Sequence, residues 1–361
     1  MNKNEICVRQ ICMVFLALMP INKLIMLPSV LARYCEEQLY LPLIINFSFD
    51  VFVLFVFLRL SVRFPGKTFE EILTERFNAR FAKAVYFLYG LFFLLKSFVP
   101  TLEQKYFVDN TLYDVFPNAI AFFPILIIST YASLKGKKIL GRSADLSIWF
   151  TVTGLVMTFF FSIFSADYTN ILPIFQKPGI NTVIASFSTI TWFSESLYML
   201  LFLGHFKREN HTDLKIVLSY VGASVAVILF TVVFYSIFGK LSQTQIFAMT
   251  NMTVFTTKVI NVGRFDYLAS FMLLFSGVYS ICLPIYAATK CFEHAFGFNK
   301  ALIPAIAVNL VIAALLIFFE NKYFSFLSFS KKYLNAFFAF MAYFLPLLFL
   351  IGIKRKKSEK I

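Results

Sequence analysis

The chain contains 361 residues, of which 59% are hydrophobic and 19% aromatic, and its formal net charge is +14. A soluble domain of this length needs far less apolar material for its core, so the composition excludes an ordinary soluble protein and indicates a polytopic membrane protein. The positive charge does not indicate a nucleic-acid partner, because the lysines and arginines concentrate in loops on one side of the predicted membrane.

Apolar segments of membrane-spanning length recur along the whole chain. An α-helix needs about 20 apolar residues to cross the hydrocarbon core of a bilayer. Ten such segments lie near residues 8–32, 41–62, 84–107, 118–134, 146–164, 181–204, 214–238, 265–289, 302–319 and 333–353. The sequence therefore predicts an all-α integral membrane protein with about ten transmembrane helices, in a single domain that covers residues 1–361.

The basic residues also predict the orientation of these segments. Most of the 33 lysines and arginines fall on one side when the N-terminus is placed in the cytoplasm, and they include a basic tail at residues 354–361. Cytoplasmic loops of membrane proteins carry an excess of lysine and arginine. We therefore expect both termini to be cytoplasmic.

The first apolar segment is interrupted near its middle by the sequence Met-Pro-Ile-Asn-Lys at residues 19–23. In a bilayer, a helix is interrupted only where the freed backbone groups face a cavity, a ligand or packed protein. Proline removes a backbone donor, and a lysine at membrane depth is costly unless it has a role. We therefore predict that Pro20, Ile21, Asn22 and Lys23 line a central site.

A short amphipathic helix is predicted between the second and third segments. Thr68 and Glu71 have the spacing of a capping box, in which each side chain bonds the backbone of the other residue. The apolar residues Phe69, Ile72 and Leu73 follow at helical spacing. We expect this helix to lie on the cytoplasmic interface.

The sixth segment is interrupted in the same way, by polar residues near its middle. A broken helix offers free N–H groups, which attract a carboxylate, and free carbonyl groups, which attract an ammonium group. This combination suits a zwitterionic amino acid, although serine and threonine side chains can instead bond their own helix. The candidate ligand-binding residues here are Thr191, Trp192, Ser194, Glu195, Ser196 and Tyr198.

Charged side chains at membrane depth mark functional sites or ion pairs. The candidates are Lys23, Asp50, Lys96 and Glu195. Glu195 has three open roles: it binds a substrate ammonium group, carries a coupling proton, or neutralises Lys23 as a structural ion pair. We predict that Lys23 and Glu195 approach each other at the central site.

The eighth segment carries Ser276, Tyr279 and Ser280 on one helical stripe. This stripe either faces the central site or packs against a neighbouring helix through its small residues. The three histidines lie at the ends of apolar segments and the five cysteines show no paired spacing, so neither a metal site nor a cofactor is predicted.

The two interrupted segments divide the chain into two halves of five spans. Because five is odd, the second half enters the membrane from the opposite side. The sequence therefore predicts a five-plus-five inverted repeat, of the LeuT-like kind, with a first repeat at about 8–164 and a second at about 181–353. The interrupted helix is the first of each half.

Several short motifs follow one another in the order of a known family. Together they resemble the spore germination receptor B-subunit family, the GerAB-type permeases, within the amino acid–polyamine–organocation transporter group. The matching residues are Gln10 with Leu27-Pro28, Arg63-Phe64-Pro65 with Thr68 and Glu71, Gly136 with Arg142, Asn170 with Leu172, Pro173 and Gly179, Ser194-Glu195, Arg264 with Asp266, and Pro346.

The chain also departs from the family pattern. Pro20 and Asn22 stand where the family favours glycine, Lys138 replaces a glutamate, and Ser194 replaces the glycine before Glu195. A further expectation from the wider group is that Lys23 takes the place of a coupling sodium ion. Pro20, Asn22, Lys23 and Ser194 lie in the interrupted helices, and therefore at the site itself, whereas Lys138 lies in a loop between two spans.

The resemblance implies a membrane subunit of a spore nutrient germinant receptor. Such a subunit would bind a small nutrient, expected to be an amino acid, and signal to A and C subunits in the bacterial cell membrane or spore inner membrane. The alternatives are a proton-coupled amino acid permease and part of a cation-conducting path. Enzymatic activity is not expected, because the sequence contains no G-x-S-x-G or H-E-x-x-H motif and no clustered acid pair.

Overall fold

The computed structural model describes residues 6–111, 118–172, 179–260, 265–320 and 322–352. The regular secondary structure of these ranges is helical, which confirms the predicted all-α class. The predicted basic tail at residues 354–361 and the motif residues Pro173 and Arg264 lie outside the described ranges.

The helices are numbered in chain order. They are α1 (Val8–Leu24), α2 (Leu27–Cys35), α3 (Tyr40–Arg63), α4 (Phe69–Arg76), α5 (Ala79–Thr111), α6 (Asn118–Lys135), α7 (Lys137–Ser162), α8 (Gly179–Ser188), α9 (Met199–Phe202), α10 (Thr212–Phe238), α11 (Ala248–Ile260), α12 (Phe265–Phe296), α13 (Leu302–Phe318), α14 (Tyr323–Phe329), α15 (Asn335–Ala339) and α16 (Leu345–Gly352).

The long apolar helices make this an integral membrane protein with several spans. Within the described residues, six helices are long and apolar enough to cross a bilayer: α3, α5, α7, α10, α12 and the continuous α14–α16 unit. The bent pair of α1 and α2 makes a seventh crossing if it is counted as one span. The helices α6 and α13 are apolar but shorter, and the predicted sixth span is divided between α8 and α9. The total of ten spans stays a prediction.

The outer surface differs from that of a soluble protein, although the core is hydrophobic in the usual way. Large apolar residues such as Phe52, Trp149 and Phe160 are exposed on the outer faces of the helices. In contrast, Asp50 and Glu195 are fully buried. An apolar outer surface of this kind is favourable against lipid tails, while the charged groups are kept inside with protein partners.

The first broken helix bends later than the sequence analysis predicted. Helix α1 continues through Pro20 to Leu24, and the chain bends by 58° before α2. Proline costs one backbone bond inside a helix, but at the start of a helix its missing N–H needs no partner. Pro28 occupies this position in the first turn of α2. The break therefore lies at residues 25–26, and the prediction that the backbone of residues 19–23 is unwound is wrong.

The freed backbone of this break is bound within the protein. The Ile25 carbonyl accepts a 2.8 Å bond from the N–H of Ala248, the first residue of α11. The Met26 carbonyl accepts a 2.8 Å bond from the hydroxyl of Ser29. The backbone carbonyl groups at the first break are thus hydrogen-bonded to α11 and to α2.

The predicted interruption of the sixth segment is confirmed. Helix α8 ends at Ser188 and α9 begins at Met199, and two short 3₁₀ turns, Ile190–Trp192 and Glu195–Tyr198, occupy the interval. Ser194 connects these turns in a left-handed conformation with φ +79°. The chain therefore changes direction immediately before Glu195.

The short helix α4 begins with the predicted capping box. The Glu71 carboxylate accepts a 2.7 Å bond from the Thr68 N–H, and the Thr68 hydroxyl accepts a 3.4 Å bond from the Glu71 N–H. Phe69, Ile72 and Leu73 are buried, as the spacing predicted. These contacts hold α4 against α5.

The second break lies among helices from both halves of the chain. It contacts α1, α3 and α15. The last span contains two π-helical turns, and Tyr343 lies in the second of them, Phe340–Phe344. A π-helical turn shifts the register of the helix and often occurs at functional sites.

Candidate ligand site at the second broken helix

The carboxylate of Asp50 lies at the N-terminal end of the second half of the break. Its two oxygens are 3.1 and 2.9 Å from the Ser194 N–H nitrogen. It also accepts hydrogen bonds from the hydroxyls of Tyr220, at 2.7 Å, and Tyr343, at 2.9 Å. A negative charge is favourable here because it faces the unpaired N–H groups at the start of a helical turn.

The ammonium group of Lys96 lies at the carbonyl side of the same break. It donates to the carbonyl of Thr191 at 3.2 Å and to the carbonyl of Phe193. Its Nζ is also 3.4 Å from Oε1 of Glu195. Lys96 therefore supplies a positive charge where the first half of the break leaves its carbonyls free.

Glu195 lies between two lysines. Its Oε2 is 2.7 Å from Lys23 Nζ, so the predicted approach of Lys23 and Glu195 is present in the structure. The Lys23 ammonium group also lies 5.7 Å from the ring centre of Phe47 and 5.1 Å from that of Phe193. Aromatic faces attract cations, and this attraction increases away from water.

These contacts join the four intramembrane charges into one network, which we call the central charge network: Lys23, Asp50, Lys96 and Glu195. Its two positive and two negative groups cancel formally, and each is at least 96% buried. Buried charges are tolerated when they are paired and hydrogen-bonded. The network ties α1, α3 and α5 to the break.

The central charge network has a direct consequence for ligand binding. A zwitterionic ligand would place its carboxylate at the Ser194 N–H and its ammonium group at the Thr191 and Phe193 carbonyls. In this structure, Asp50 and Lys96 supply both charges from within the chain. Of the two lysines, Lys96 and not Lys23 takes the cation position at these carbonyls.

Buried polar atoms without partners lie next to this network. Tyr198 stacks on Phe93 with ring centres 5.4 Å apart and is close to Glu195 and Tyr279. Such atoms are rare in folded proteins and call for a ligand, a water molecule or an ion. Within the described part of the chain, the atoms that lack a hydrogen-bond partner here include Asn22 Oδ1, Ser196 Oγ, the Tyr198 hydroxyl and the Tyr279 hydroxyl.

The remaining candidates are placed away from the charged centre or play a packing role. Pro20 and Ile21 are buried within α1, and the Trp192 indole lies beside Glu103. The Ser276 hydroxyl accepts a 2.9 Å bond from Thr151 of α7.

The second serine of the α12 stripe also bonds a neighbouring helix. The Ser280 hydroxyl accepts a 3.3 Å bond from the Gln104 amide of α5 and donates a 2.8 Å bond to the Gly277 carbonyl. Ser276 and Ser280 therefore follow the alternative of helix packing. Tyr279 is the member of the stripe that the structure brings near Tyr198.

The family of the chain follows from a comparison with known protein families. Residues 5–325 match a family model described as "Spore germination protein". The chain belongs to this spore permease family. No curated protein matches the chain significantly. The resemblance found in the motifs is therefore confirmed over nearly the whole length of the chain.

The geometry of the break explains one departure of this chain from the family pattern. Ser194 stands where the resemblance leads us to expect glycine, and its φ is +79°. Glycine adopts this left-handed region without strain, whereas a residue with a side chain has a steric cost there. The position before Glu195 therefore requires a left-handed turn, and serine adopts it here.

Sequence reasoning missed three residues that complete the candidate site. Tyr220 and Tyr343 bind Asp50, and Phe47 faces Lys23. The only available signal was indirect: a carboxylate at membrane depth needs donors, but 17 tyrosines are present and the sequence does not show which of them approach Asp50. That choice depends on how distant helices pack.

Proposed function

We propose that this protein is the membrane subunit of a nutrient germinant receptor, and that it binds a small nutrient, an amino acid, at the second break. The observation that supports this function is the set of unpartnered buried polar atoms beside the central charge network. The receptor would signal by conformational change to A and C subunits, without enzymatic chemistry.

Ligand binding would proceed by exchange of charges. The carboxylate of the amino acid replaces Asp50 at the Ser194 N–H, and its ammonium group replaces Lys96 at the Thr191 and Phe193 carbonyls. Asp50 and Lys96 belong to α3 and α5, so their release uncouples both helices from the break. The change in helix contacts is the signal that partner subunits would read. A ligand can shift this equilibrium only because it has different contacts in the two states.

The proposed architecture is the five-plus-five inverted repeat, with repeats at about 8–164 and 181–353. The presence of a bend in the first span of each half supports it. The positive-inside rule supports cytoplasmic termini. The spore inner membrane is the proposed location, in keeping with the family.

A proton-coupled amino acid permease is the second candidate. The position of Glu195 between Lys23 and Lys96 supports it, because a buried group with two cationic neighbours can exchange partners during a transport cycle. The two functions predict different behaviour of the purified protein. Uptake of labelled amino acid into proteoliposomes under a pH gradient supports the permease, and saturable binding without uptake supports the receptor.

The first test is genetic. The gene is deleted in its host, and dipicolinate release is followed from purified spores challenged with single amino acids and common sugars. Loss of the response to one nutrient, restored by the wild-type gene, supports the receptor and identifies its ligand. Unchanged germination with every nutrient contradicts the receptor function and favours the permease.

A further inference from the structure

A second site lies at the end of the bundle that carries α4. It is a cavity of about 390 Å³, with walls from α4, α5, α12, the junction of α6 and α7, and the chain that follows α9. Its volume is in the range of small-molecule sites. The cavity does not include any member of the central charge network.

In the part of the chain that the structure describes, the charged residues around this cavity leave two lysines, Lys135 and Lys137, without a carboxylate. Lys135 is exposed and its Nζ lies 5.3 Å from the ring centre of Tyr131. Glu70 is 2.5 Å from His294, and Glu293 is 2.6 Å from Lys290, so both acidic residues of the wall already have partners. Lys137 lines the same cavity, and no carboxylate in the described ranges forms an ion pair with it. An unpaired ammonium group in a partly enclosed cavity attracts an anion.

The backbone adds positive character at the same point. Lys137 is the first residue of α7, and Gly136 precedes it with φ +84° and provides no side-chain cap. The first N–H groups of a helix have no partner within the helix, and together they form a favourable place for an anion. Both residues line the cavity, so the start of α7 borders it.

An unsatisfied hydroxyl provides independent evidence for a ligand. Tyr89 lines the cavity and is fully buried, and its hydroxyl has no hydrogen-bond partner among the described residues. A buried hydroxyl without a partner costs free energy, so a bound acceptor would stabilise it. Tyr86, Tyr286 and Leu201 provide aromatic and aliphatic walls.

We propose that this cavity binds a small organic anion, with its carboxylate between the Lys137 ammonium group, the start of α7 and the Tyr89 hydroxyl. Its apolar body packs against Tyr86 and Tyr286. The site is separate from the nutrient site proposed at the second break. A second ligand of this kind would connect α4, α5, α7 and α12 at one end of the bundle.

The other groups around the cavity leave its lining positively charged. Burial and the charge of Lys137 lower the pKa of His205 to about 4, so His205 is neutral over the working range. The other charged groups around the cavity are Glu70, Lys135, Lys290, Glu293 and His294. Glu70 and Glu293 pair with His294 and Lys290, so Lys135 and Lys137 give the lining its excess positive charge.

The test uses the full-length chain in detergent and sodium benzoate as the probe. Thermal unfolding is followed by tryptophan fluorescence over a range of benzoate concentrations at pH 6. We expect saturable stabilisation of the wild type. Lys137→Gln should weaken binding at least tenfold, and Tyr89→Phe several-fold.

Lys138→Gln is the matched control, because Lys138 is the next residue of α7 and does not line the cavity. It should bind benzoate like the wild type. Equal binding by Lys137→Gln and wild type, or equal stabilisation by benzylamine, overturns the proposal. If Lys137→Gln unfolds without benzoate, Tyr89→Phe gives the same decision, since it keeps the ring.

Two further arms distinguish this cavity from the second break and from a lipid-binding site. Glu195→Gln alters the second break and should leave benzoate binding unchanged, so the two proposals fail independently. Titration in nanodiscs of phosphatidylcholine and of phosphatidylglycerol distinguishes a soluble anion from a lipid headgroup. Equal benzoate affinity in both lipids supports the soluble ligand. If benzoate no longer binds in phosphatidylglycerol nanodiscs, the lipid headgroup occupies the cavity, and the proposal is overturned.

Discussion

At the scale of single residues, Asp50 links the central charge network to helices distant in the sequence. It binds the break through the Ser194 N–H, α10 through Tyr220, and the last span through Tyr343. Each partner donates a hydrogen bond, and an ionised carboxylate accepts such bonds more strongly than a neutral group does. The carboxylate thus positions three separate parts of the fold.

Replacing Asp50 should therefore destabilise the protein strongly. In Asp50→Asn, an amide donor faces other donors and the two lysines lose one of their balancing charges. We expect a loss of about 3–5 kcal/mol in the free energy of unfolding. Tyr343→Phe removes one hydrogen bond and should cost about 1 kcal/mol. Thermal unfolding in detergent measures both.

Tyr333→Phe is the control for this series, since Tyr333 lies in the same span and is 55% exposed. Its unfolding temperature should equal that of the wild type. If Asp50→Asn were as stable as Tyr333→Phe, Asp50 would not be the charged anchor that its geometry suggests.

The pairing of Lys23 with Glu195 makes a prediction about double substitution. Either single change, Lys23→Met or Glu195→Met, leaves an unbalanced buried charge, which costs about 3–5 kcal/mol. The double variant restores the balance because Lys96 and Asp50 remain. We expect it to be more stable than either single variant, in a double-mutant cycle of unfolding free energies.

The surface pair Lys67 and Glu75 provides the comparison for this cycle. Its atoms are 2.5 Å apart, but the side chains are 41% and 48% exposed. Exposed pairs contribute at most about 1 kcal/mol. At this surface pair, the losses in the free energy of unfolding from the two single substitutions should simply add in the double variant. The same additivity at Lys23 and Glu195 would contradict a balanced buried network.

At the scale of elements, the segment after α9 is held closely against the start of α4. Gly204 has φ +73°, and a Cβ atom built there would lie 2.6 Å from the backbone of Lys67 and Thr68. Backbone atoms cannot move aside as the end of a flexible side chain can. The contact fixes α9 and the chain that follows it relative to α4. Both border the cavity proposed above to bind an organic anion.

The substitution Gly204→Ala should therefore separate these elements. The left-handed backbone costs about 1–2 kcal/mol for alanine, and the clash adds about 1–3 kcal/mol. Gly297→Ala is the matched control, because Gly297 has φ +72° and open space around it. We expect Gly204→Ala to lower the unfolding temperature clearly more than Gly297→Ala. Equal shifts would show that the close approach to α4 is not required.

At the scale of the whole molecule, the orientation in the membrane can be tested directly. Arg80 lies on the predicted cytoplasmic side and Lys240 on the opposite side, and both are exposed. In a variant without native cysteines, Lys240→Cys should react with an impermeant maleimide in intact cells. Arg80→Cys should react only after permeabilisation. Labelling of Arg80→Cys alone in intact cells would reverse the proposed topology.

Much of the fold was accessible from local patterns. The apolar segments predicted membrane helices, and the spacing of Thr68 and Glu71 predicted the start of α4. The first break was misplaced because Pro20 is tolerated within α1, while Pro28 marks the start of α2. The local pattern did not show which proline the surrounding helices accommodate.

The sequence by itself determined that this is a helical membrane protein and that its sixth segment is broken before Glu195, and it predicted that Lys23 and Glu195 approach each other. These conclusions follow from the cost of exposing polar groups and charges to lipid, which depends on residue type and depth. Only the tertiary structure decided that Lys96 and Asp50 occupy the carbonyl and N–H ends of the break. Those contacts join positions 95 and 144 residues apart, so they depend on how the helices pack and not on any local pattern.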